Sequence, residues 1–247
     1  MSKQTLVILT TYNEIESLPA LVDEIFASAP AVHLLVVDDN SPDGTGPWCL
    51  KRGESEPRMR LLSRAGKLGQ GSAIVAGMRY ALDQGYEFVV TMDADFSHHP
   101  RHIPALLARL AVEGRDGADV VIGSRYVAGG RIEGWPWHRH LMSRSVNRYA
   151  RAMLRLSTRD CSGGFRAYRL ARLAQLDYGQ LISRGYSFHE EFLWRVKRLG
   201  CRLAEEPITF VDRVKGTSKI NAREAWIAIR VIFRLGLSER FGGKRRG

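Results

Sequence analysis

In the first half of the chain the apolar residues come in short unbroken runs. TLVIL (5–9), LLVV (34–37), MRLLS (59–63), FVVTM (88–92) and VVIG (120–123) are short, mostly β-branched or leucine-rich, and bounded by polar residues. Runs of this kind suit strands buried on both faces. Between them the spacing changes to that of a helix. Leu21, Ile25 and Ala29 recur every four residues, behind Ser17 as a candidate N-cap and Pro19 in the first turn. A second helix is predicted from the glycine-rich turn GKLGQG (66–71) to Ala81, and a third over 104–112. Strands alternating with helices predict an α/β fold, a doubly wound parallel sheet with helices on both faces. Ligands of such sheets bind beyond the carboxyl ends of the strands. TTYNE (10–14), DDNSPDGT (38–45), the glycine-rich turn, DADFSHH (93–99) and GSRYVAGG (123–130) all fall at that edge.

Beyond about residue 135 helices dominate the pattern, most clearly over 142–156 and 190–199, with one strand-like segment over 206–211. The segment 225–237 carries Trp226, Ile227, Ile229, Val231, Ile232, Phe233, Leu235 and Leu237, interrupted by Arg230 and Arg234 four residues apart on one face. Two readings stay open for it: a helix packed on the core, or an interfacial helix anchored by Trp226 and Phe233 in a lipid headgroup region.

Composition narrows the function. Lys and Arg number 37 against 26 Asp and Glu, a net charge of +11 over 247 residues, which favours an anionic partner. Neither a helix-turn-helix, a zinc finger nor an RNA-binding aromatic motif accompanies that charge, so a nucleic-acid partner is not expected. Cys49, Cys161 and Cys201 are scattered, form no C-x-x-C pair, and fit a reducing compartment. The first residues read as a strand rather than a signal peptide, and no run of about 18 apolar residues offers a membrane span.

Asp93 and Asp95 are the sharpest chemical signal. In an extended segment, residues two apart point the same way, and two carboxylates so placed repel unless a cation lies between them. A divalent ion carrying a diphosphate satisfies both, since Mg²⁺ and Mn²⁺ prefer oxygen ligands and keep substrate phosphates in their shell. Of Asp38 and Asp39, one suits a nucleobase edge and the other a turn cap. The glycine-rich turn allows close backbone approach at a helix N-terminus but matches no phosphate-loop pattern; a plain loop and cap is the simpler reading. His98, His99 and His102 have carboxylate neighbours, which point to a hard metal rather than zinc. Arg125, Arg131, Arg139, Arg144, Arg213, Lys215 and Lys219 form a basic set suited to phosphate oxygens. Within it, Arg131, Arg144 and Lys215 are expected to be ordinary basic surface.

TYNE (11–14), VVDDNSPDGT (36–45), MDADFSHHP (92–100), GSRYVAGG (123–130), WPWHRHLMS (135–143), SGGFRAYR (162–169), GYSFHEE (185–191) and FVDRVKGTSK (210–219) together resemble the family 2 inverting glycosyltransferases. The first three are general to that family. The later ones are similar to its branch of dolichol- or polyprenol-phosphate mannose synthases. The resemblance implies a mostly parallel GT-A fold over 1–220, followed at 221–247 by an amphipathic helix and basic tail. It implies GDP-mannose as donor, a polyprenyl or dolichyl phosphate as acceptor, Mg²⁺ or Mn²⁺ as cofactor, and a peripheral place at the cytoplasmic face of a membrane. A UDP-sugar such as UDP-glucose is the alternative donor, and a membrane-anchoring partner protein is compatible with it. By the same resemblance Thr10, Tyr12, Glu14, Val37 and Asp39 lie beside the base and ribose, Thr10 standing where the family usually has proline. Asp93, Ala94, Asp95 and Ser97 lie along the ribose, diphosphate and metal, with Glu191 as a further metal ligand or a support of the closing loop. Arg213 and Lys219 close over the donor diphosphate. Arg125, Arg139 and Ser143 grip the acceptor phosphate, with Arg125 also reaching the donor side. Asp95, Arg125 and Arg139 are the implied catalytic residues. A phosphate acceptor is already nucleophilic near neutral pH, its second pKa being about 6, so this chemistry calls for arginines rather than a dedicated base.

Overall fold

The computed structural model describes residues 5–112, 114, 117–183, 185, 187–212 and 222–241. Its frame is a seven-stranded sheet in the order β3-β2-β1-β4-β7-β5-β8. The strands are β1 (Thr5–Thr11), β2 (His33–Asp38), β3 (Met59–Ser63), β4 (Phe88–Asp93), β5 (Val120–Ser124), β7 (Arg166–Arg169) and β8 (Leu203–Pro207). A two-stranded ribbon pairs β6 (Arg131–Glu133) with β9 (Thr209–Val211). Leu6, Val7, Ile8 and Leu9 of β1 are almost fully buried, because helices cover both faces of the sheet. Each such side chain contributes about 2 kcal/mol relative to exposure, which is why an unbroken apolar run is stable only in this setting.

Helices α1 (Leu18–Ser28), α2 (Thr45–Ser55), α3 (Gln70–Asp83) and α4 (Ile103–Ala111) follow the alternation read from the sequence. Later come α5 (Trp137–Leu154), the short α6 (Leu170–Leu173), α7 (Phe188–Arg198) and α8 (Ala222–Phe241). Three details depart from expectation. Ser17 does not cap α1; its hydroxyl donates to the carbonyls of Glu14 and Ala94, tying the β1 loop to the loop after β4. The segment 206–211 is two strands in two sheets, β8 beside β5 and β9 beside β6. Lastly, β7 enters the sheet between β4 and β5 and runs antiparallel to both.

Helix α8 packs on the core by one face and leaves apolar side chains exposed on the other. Ala228, Ile232 and Leu235 are buried, while Trp226, Ile229, Phe233 and Leu237 are exposed. Its inner face meets α5 and α7: Gly236 lies against Met153, and Glu239 accepts from the Trp194 indole and from Lys197 Nζ. Among the described residues no helix is long and apolar enough to cross a membrane.

Candidate active site

The strand order places β1 between β2 and β4. The chain therefore winds to one side for β2 and β3, then crosses to the other for β4, and the crevice at such a switch point is where a ligand fits. Three of the expected donor residues form one row across it, Val37 and Asp93 being the register partners of Thr10 on either side. Thr10 is a strand residue there.

The loops beyond β1 and β2 are held by short-range turn chemistry. Asp38 is buried and accepts from the Thr11 hydroxyl and from the amide and hydroxyl of Ser41. Asp43 accepts from the amides of Ile15 and Thr45 and from the Thr45 hydroxyl. Asp38 is thus the turn cap, while Asp39 accepts the Leu68 amide on Oδ2 at 3.3 Å. Burial raises the Asp39 pKa while Arg64, 3.0 Å from Oδ1, opposes that shift. The Arg64 N–H is not aligned on Oδ1, which has no hydrogen bond among the described residues and keeps acceptor capacity. The Glu14 amide meets Thr45 Oγ1 at 3.4 Å, and the Tyr12 ring carries Lys67 Nζ 4.4 Å from its centroid.

Beyond β4 the backbone bends. Only Asp93 is in the strand; Asp95 lies in a turn and Phe96 has φ of 61°. The two carboxylates are therefore not set by strand pleating, as the extended reading supposed, but by separate holders. Gln70 Nε2 donates to Asp93 Oδ1 at 2.7 Å. The Ser97 amide and hydroxyl donate to Asp95 Oδ1 at 3.0 and 2.5 Å. Ser97 is buried, so its hydroxyl is first a positioner of Asp95. Ala94 is also buried and meets Ser17 through its carbonyl.

The histidines do structural work. His98 Nδ1 accepts the Asp93 amide, so the neutral ring carries its hydrogen on Nε2, and burial keeps its pKa low. His99 accepts from the Arg101 amide and His102 from the Thr209 amide. Among the described residues no group of three or more His, Cys, Asp or Glu side chains forms a metal cage. The oxygen-only pair Asp93 and Asp95 instead fits a hard divalent ion that takes its remaining ligands from water and substrate phosphates.

Glu191, expected as a metal ligand or a support of the closing loop, is engaged by backbone amides and Arg195. It is fully buried, and its carboxylate accepts from the amides of Ile182 and Ser183 and from Arg195 Nε. It braces the 182–183 segment. His189 approaches Asp93 across Gly164: a Cβ placed there would lie 3.1 Å from the His189 ring and 3.6 Å from Asp93 Oδ1. Glu190 is buried with Oε2 lacking a hydrogen bond among the described residues, and burial pushes its pKa up to about 7.

The arginines stand on the other side of His98. Arg125 is almost fully enclosed and donates from Nε and Nη2 to Asp160 at 2.7 Å each, and from Nη2 to Ser162. Burial works against its charge, but Asp160 outweighs that and its pKa is raised. Nη1 takes no part in these bonds. Arg139 donates from Nη1 to both Asp212 oxygens, at 2.8 and 2.9 Å, and lies 4.2 Å over Trp135. Ser143 Oγ is 2.7 Å from the Tyr126 hydroxyl. A row of rings, Trp135 to Phe210 to His98, links this basic side to the carboxylate loop. The Val211 amide donates to the Ser97 carbonyl along the same seam. Arg213 and Lys219 lie outside the described residues.

The sequence reading gave no role to Gln70, Lys67, Asp160 or Glu190, and weighed His98 only as a metal ligand. Gln70 and Lys67 sit in the glycine-rich turn, where the simpler reading had been a plain loop. Gly71 is needed there, since a Cβ would come within 2.6 Å of the Phe188 ring.

Comparison with known proteins agrees with this geometry. The chain is 42% identical over 242 residues to an undecaprenyl-phosphate mannosyltransferase of Micrococcus luteus, covering 98% of each chain. It is 42% identical over 232 residues to a polyprenol monophosphomannose synthase of Mycolicibacterium smegmatis, covering 92% of this chain and 86% of that one. Among solved structures, glucosyl-3-phosphoglycerate synthase of Mycobacterium tuberculosis with Mn²⁺ and UDP superposes with a TM-score of 0.66 at 22% identity, over 98% of this chain and 81% of that one. A mannosyltransferase of Pyrobaculum calidifontis with GDP-Man and Mn²⁺ superposes with a TM-score of 0.60 at 19% identity, over 99% of this chain and 66% of that one. These likenesses establish the GT-A fold. The model of glycosyl transferase family 2 matches residues 6–176, and the chain is a glycosyltransferase belonging to that family.

Proposed function

We propose that the protein transfers mannose from GDP-mannose to a polyprenyl monophosphate, with inversion at the anomeric carbon, at the cytoplasmic face of a membrane. The observation that carries the reading is the pairing of two unlike sites across His98. One is a carboxylate pair at the sheet's switch point, and the other is a pair of arginines each oriented by its own carboxylate. The names of the two relatives at 42% identity favour the same donor sugar and acceptor class.

In this reading Thr10, Tyr12, Glu14, Val37 and Asp39 line the base and ribose. Asp93 and Asp95 would hold Mg²⁺ or Mn²⁺, with Ala94 and Ser97 shaping the loop. A solved structure of the same fold holds GDP-Man with Mn²⁺. When bound, the ion neutralises charge on the donor diphosphate. Gln70 and Ser97 keep the two carboxylates from turning away. Arg125, through Nη1, and Arg139, through its free edge, hold the acceptor phosphate with Ser143 beside them. They offset its repulsion from the diphosphate. An acceptor oxygen then attacks the anomeric carbon in line. The new C–O bond forms as the bond to the diphosphate breaks, giving a β-mannosyl phosphate from the α-linked donor. Arg213 and Lys219 are assigned to the departing diphosphate.

The test incubates the purified protein with labelled GDP-mannose, a polyprenyl phosphate and Mg²⁺ or Mn²⁺, and counts label in the organic phase. Label that depends on both lipid phosphate and metal is expected. Label from UDP-glucose but none from GDP-mannose would overturn the donor assignment.

A further inference from the structure

Helix α5 carries a second set of arginines to which the transfer reading above assigns no role. Arg144, Arg148 and Arg151 recur at helical spacing. With Arg159 they line a cavity of about 680 Å³, whose other walls include Arg125 and Leu141. Among the described residues, none of these four side chains pairs with a carboxylate. Asp160, the nearest buried acid, is already engaged by Arg125. Arg151 Nε is buried without a hydrogen bond, which is unfavourable unless an acceptor joins it. Four guanidinium groups around one cavity repel each other, and an anion with several oxygens relieves this with bidentate bonds. Arg144, expected as ordinary basic surface, is exposed and lines this cavity.

The surroundings indicate where that anion comes from. On the same helix Trp137, Leu141 and Met142 are exposed, at 76%, 60% and 47%. Alongside, α8 exposes Trp226 and Phe233, and the two helices touch where Tyr149 OH meets the Ile229 carbonyl. Exposed tryptophan and aliphatic side chains beside arginines suit the boundary between lipid headgroups and acyl chains.

We propose that this cavity binds the headgroup phosphate of an anionic membrane phospholipid, and so docks the enzyme with α5 and α8 against the bilayer. The lipid is neither donor nor acceptor. It holds the catalytic edge at the surface where the polyprenyl phosphate is embedded. The inference rests on the membrane part of the proposed function, and its test is independent of transfer.

The full chain is sedimented with vesicles of phosphatidylcholine alone and of phosphatidylcholine with phosphatidylglycerol. The variants are Arg148→Gln/Arg151→Gln, the charge-retaining Arg148→Lys/Arg151→Lys, and a charge-matched control, Lys51→Gln/Arg101→Gln, elsewhere on the surface. The expected result is phosphatidylglycerol-dependent binding of the wild type, lowered about 30-fold in the Arg-to-Gln pair. The Lys pair should fall between, and the control should lose much less. An equal loss in the control would overturn the site in favour of diffuse charge attraction. Two further arms separate other sources of phosphate. Calorimetric binding of inorganic phosphate or pyrophosphate with none of soluble dihexanoyl phosphatidylglycerol would overturn the lipid. Transfer assayed in neutral detergent should keep the wild-type KM for polyprenyl phosphate in the Arg-to-Gln pair. A raised KM there would make the cavity part of the acceptor site and overturn a separate lipid site.

Discussion

The carboxylate side and the arginine side of the cleft are built by different means. On the carboxylate side each loop has an anchor close in sequence, Asp95 with Ser97, Asp43 with Thr45, Asp38 with Ser41, and Asp93 is the exception, held by Gln70 across 23 residues. On the arginine side the anchors are distant. Arg125 meets Asp160 across 35 residues, and Arg139 meets Asp212 across 73. The first side is a set of turns that form wherever their short segments do, hung on a rigid sheet. The second exists only once the helix α5, the 155–165 segment and β9 have come together. Loss of a local anchor should therefore damage the chemistry and spare the fold, whereas loss of a buried distant one should damage the fold.

Asp160→Ala is the strongest test of that contrast. It strands the buried Arg125 charge and removes the acceptor of the Gly163 amide. A stability loss of about 3–5 kcal/mol is expected by denaturant titration; a loss under about 1 kcal/mol would break the distinction. Asp95→Ala should lower metal-dependent transfer by about 10²–10³-fold while leaving the thermal midpoint close to wild type. Wild-type-like turnover would remove Asp95 from the chemistry.

Glu190 sharpens the comparison because it is a buried acid near the arginine side, sensing Arg166, Asp160 and Arg125. Burial raises its carboxyl from the usual 4.5 to about 7, so the fold favours the neutral form. That contribution is complete below about pH 4.5 and is lost as pH rises through about 7. Glu190→Gln, neutral at every pH, should match the wild type in acid and exceed it by about 2 kcal/mol near pH 8, measured as denaturation midpoints across pH. Arg139→Ala comes next, with KM for polyprenyl phosphate raised about tenfold and KM for GDP-mannose little changed; equal changes would argue against acceptor contact. Asp212→Ala should be the mildest. Its ion pair is partly exposed, so stability should move by less than about 1 kcal/mol, with a small rise in acceptor KM as Arg139 loses its orientation.

This division also explains what was readable beforehand. Strands β1, β2, β4 and β5 showed themselves because a strand buried on both faces must be apolar throughout, whereas β3 lies at the sheet edge with Arg60 and Ser63 exposed. The acidic loops showed themselves because turn residues act on neighbours two or three positions away. Ser17 misled for the same reason: it has the local form of a cap, but the Ala94 carbonyl, 77 residues on, takes its hydroxyl. Glu191 misled as an acid in a motif, while its partners are the backbone amides of a turn and Arg195. Strand β7, with arginine at both ends of RAYR, has no apolar run to announce it. It is a strand because β4 and β5 each offer it a ladder.

Alternation and composition alone were enough for an α/β sheet with acidic loops at its carboxyl edge and a basic chain suited to phosphates. Local hydrophobic periodicity and turn preference are short-range properties and need no partner to be seen. Which acid holds which arginine, and that Gln70 and His98 secure Asp93, depended on packing. So did the gathering of the α5 arginines around one cavity. A charge or amide buried by folding takes whatever partner the sheet and helices bring within about 3 Å, and sequence distance places no limit on that choice.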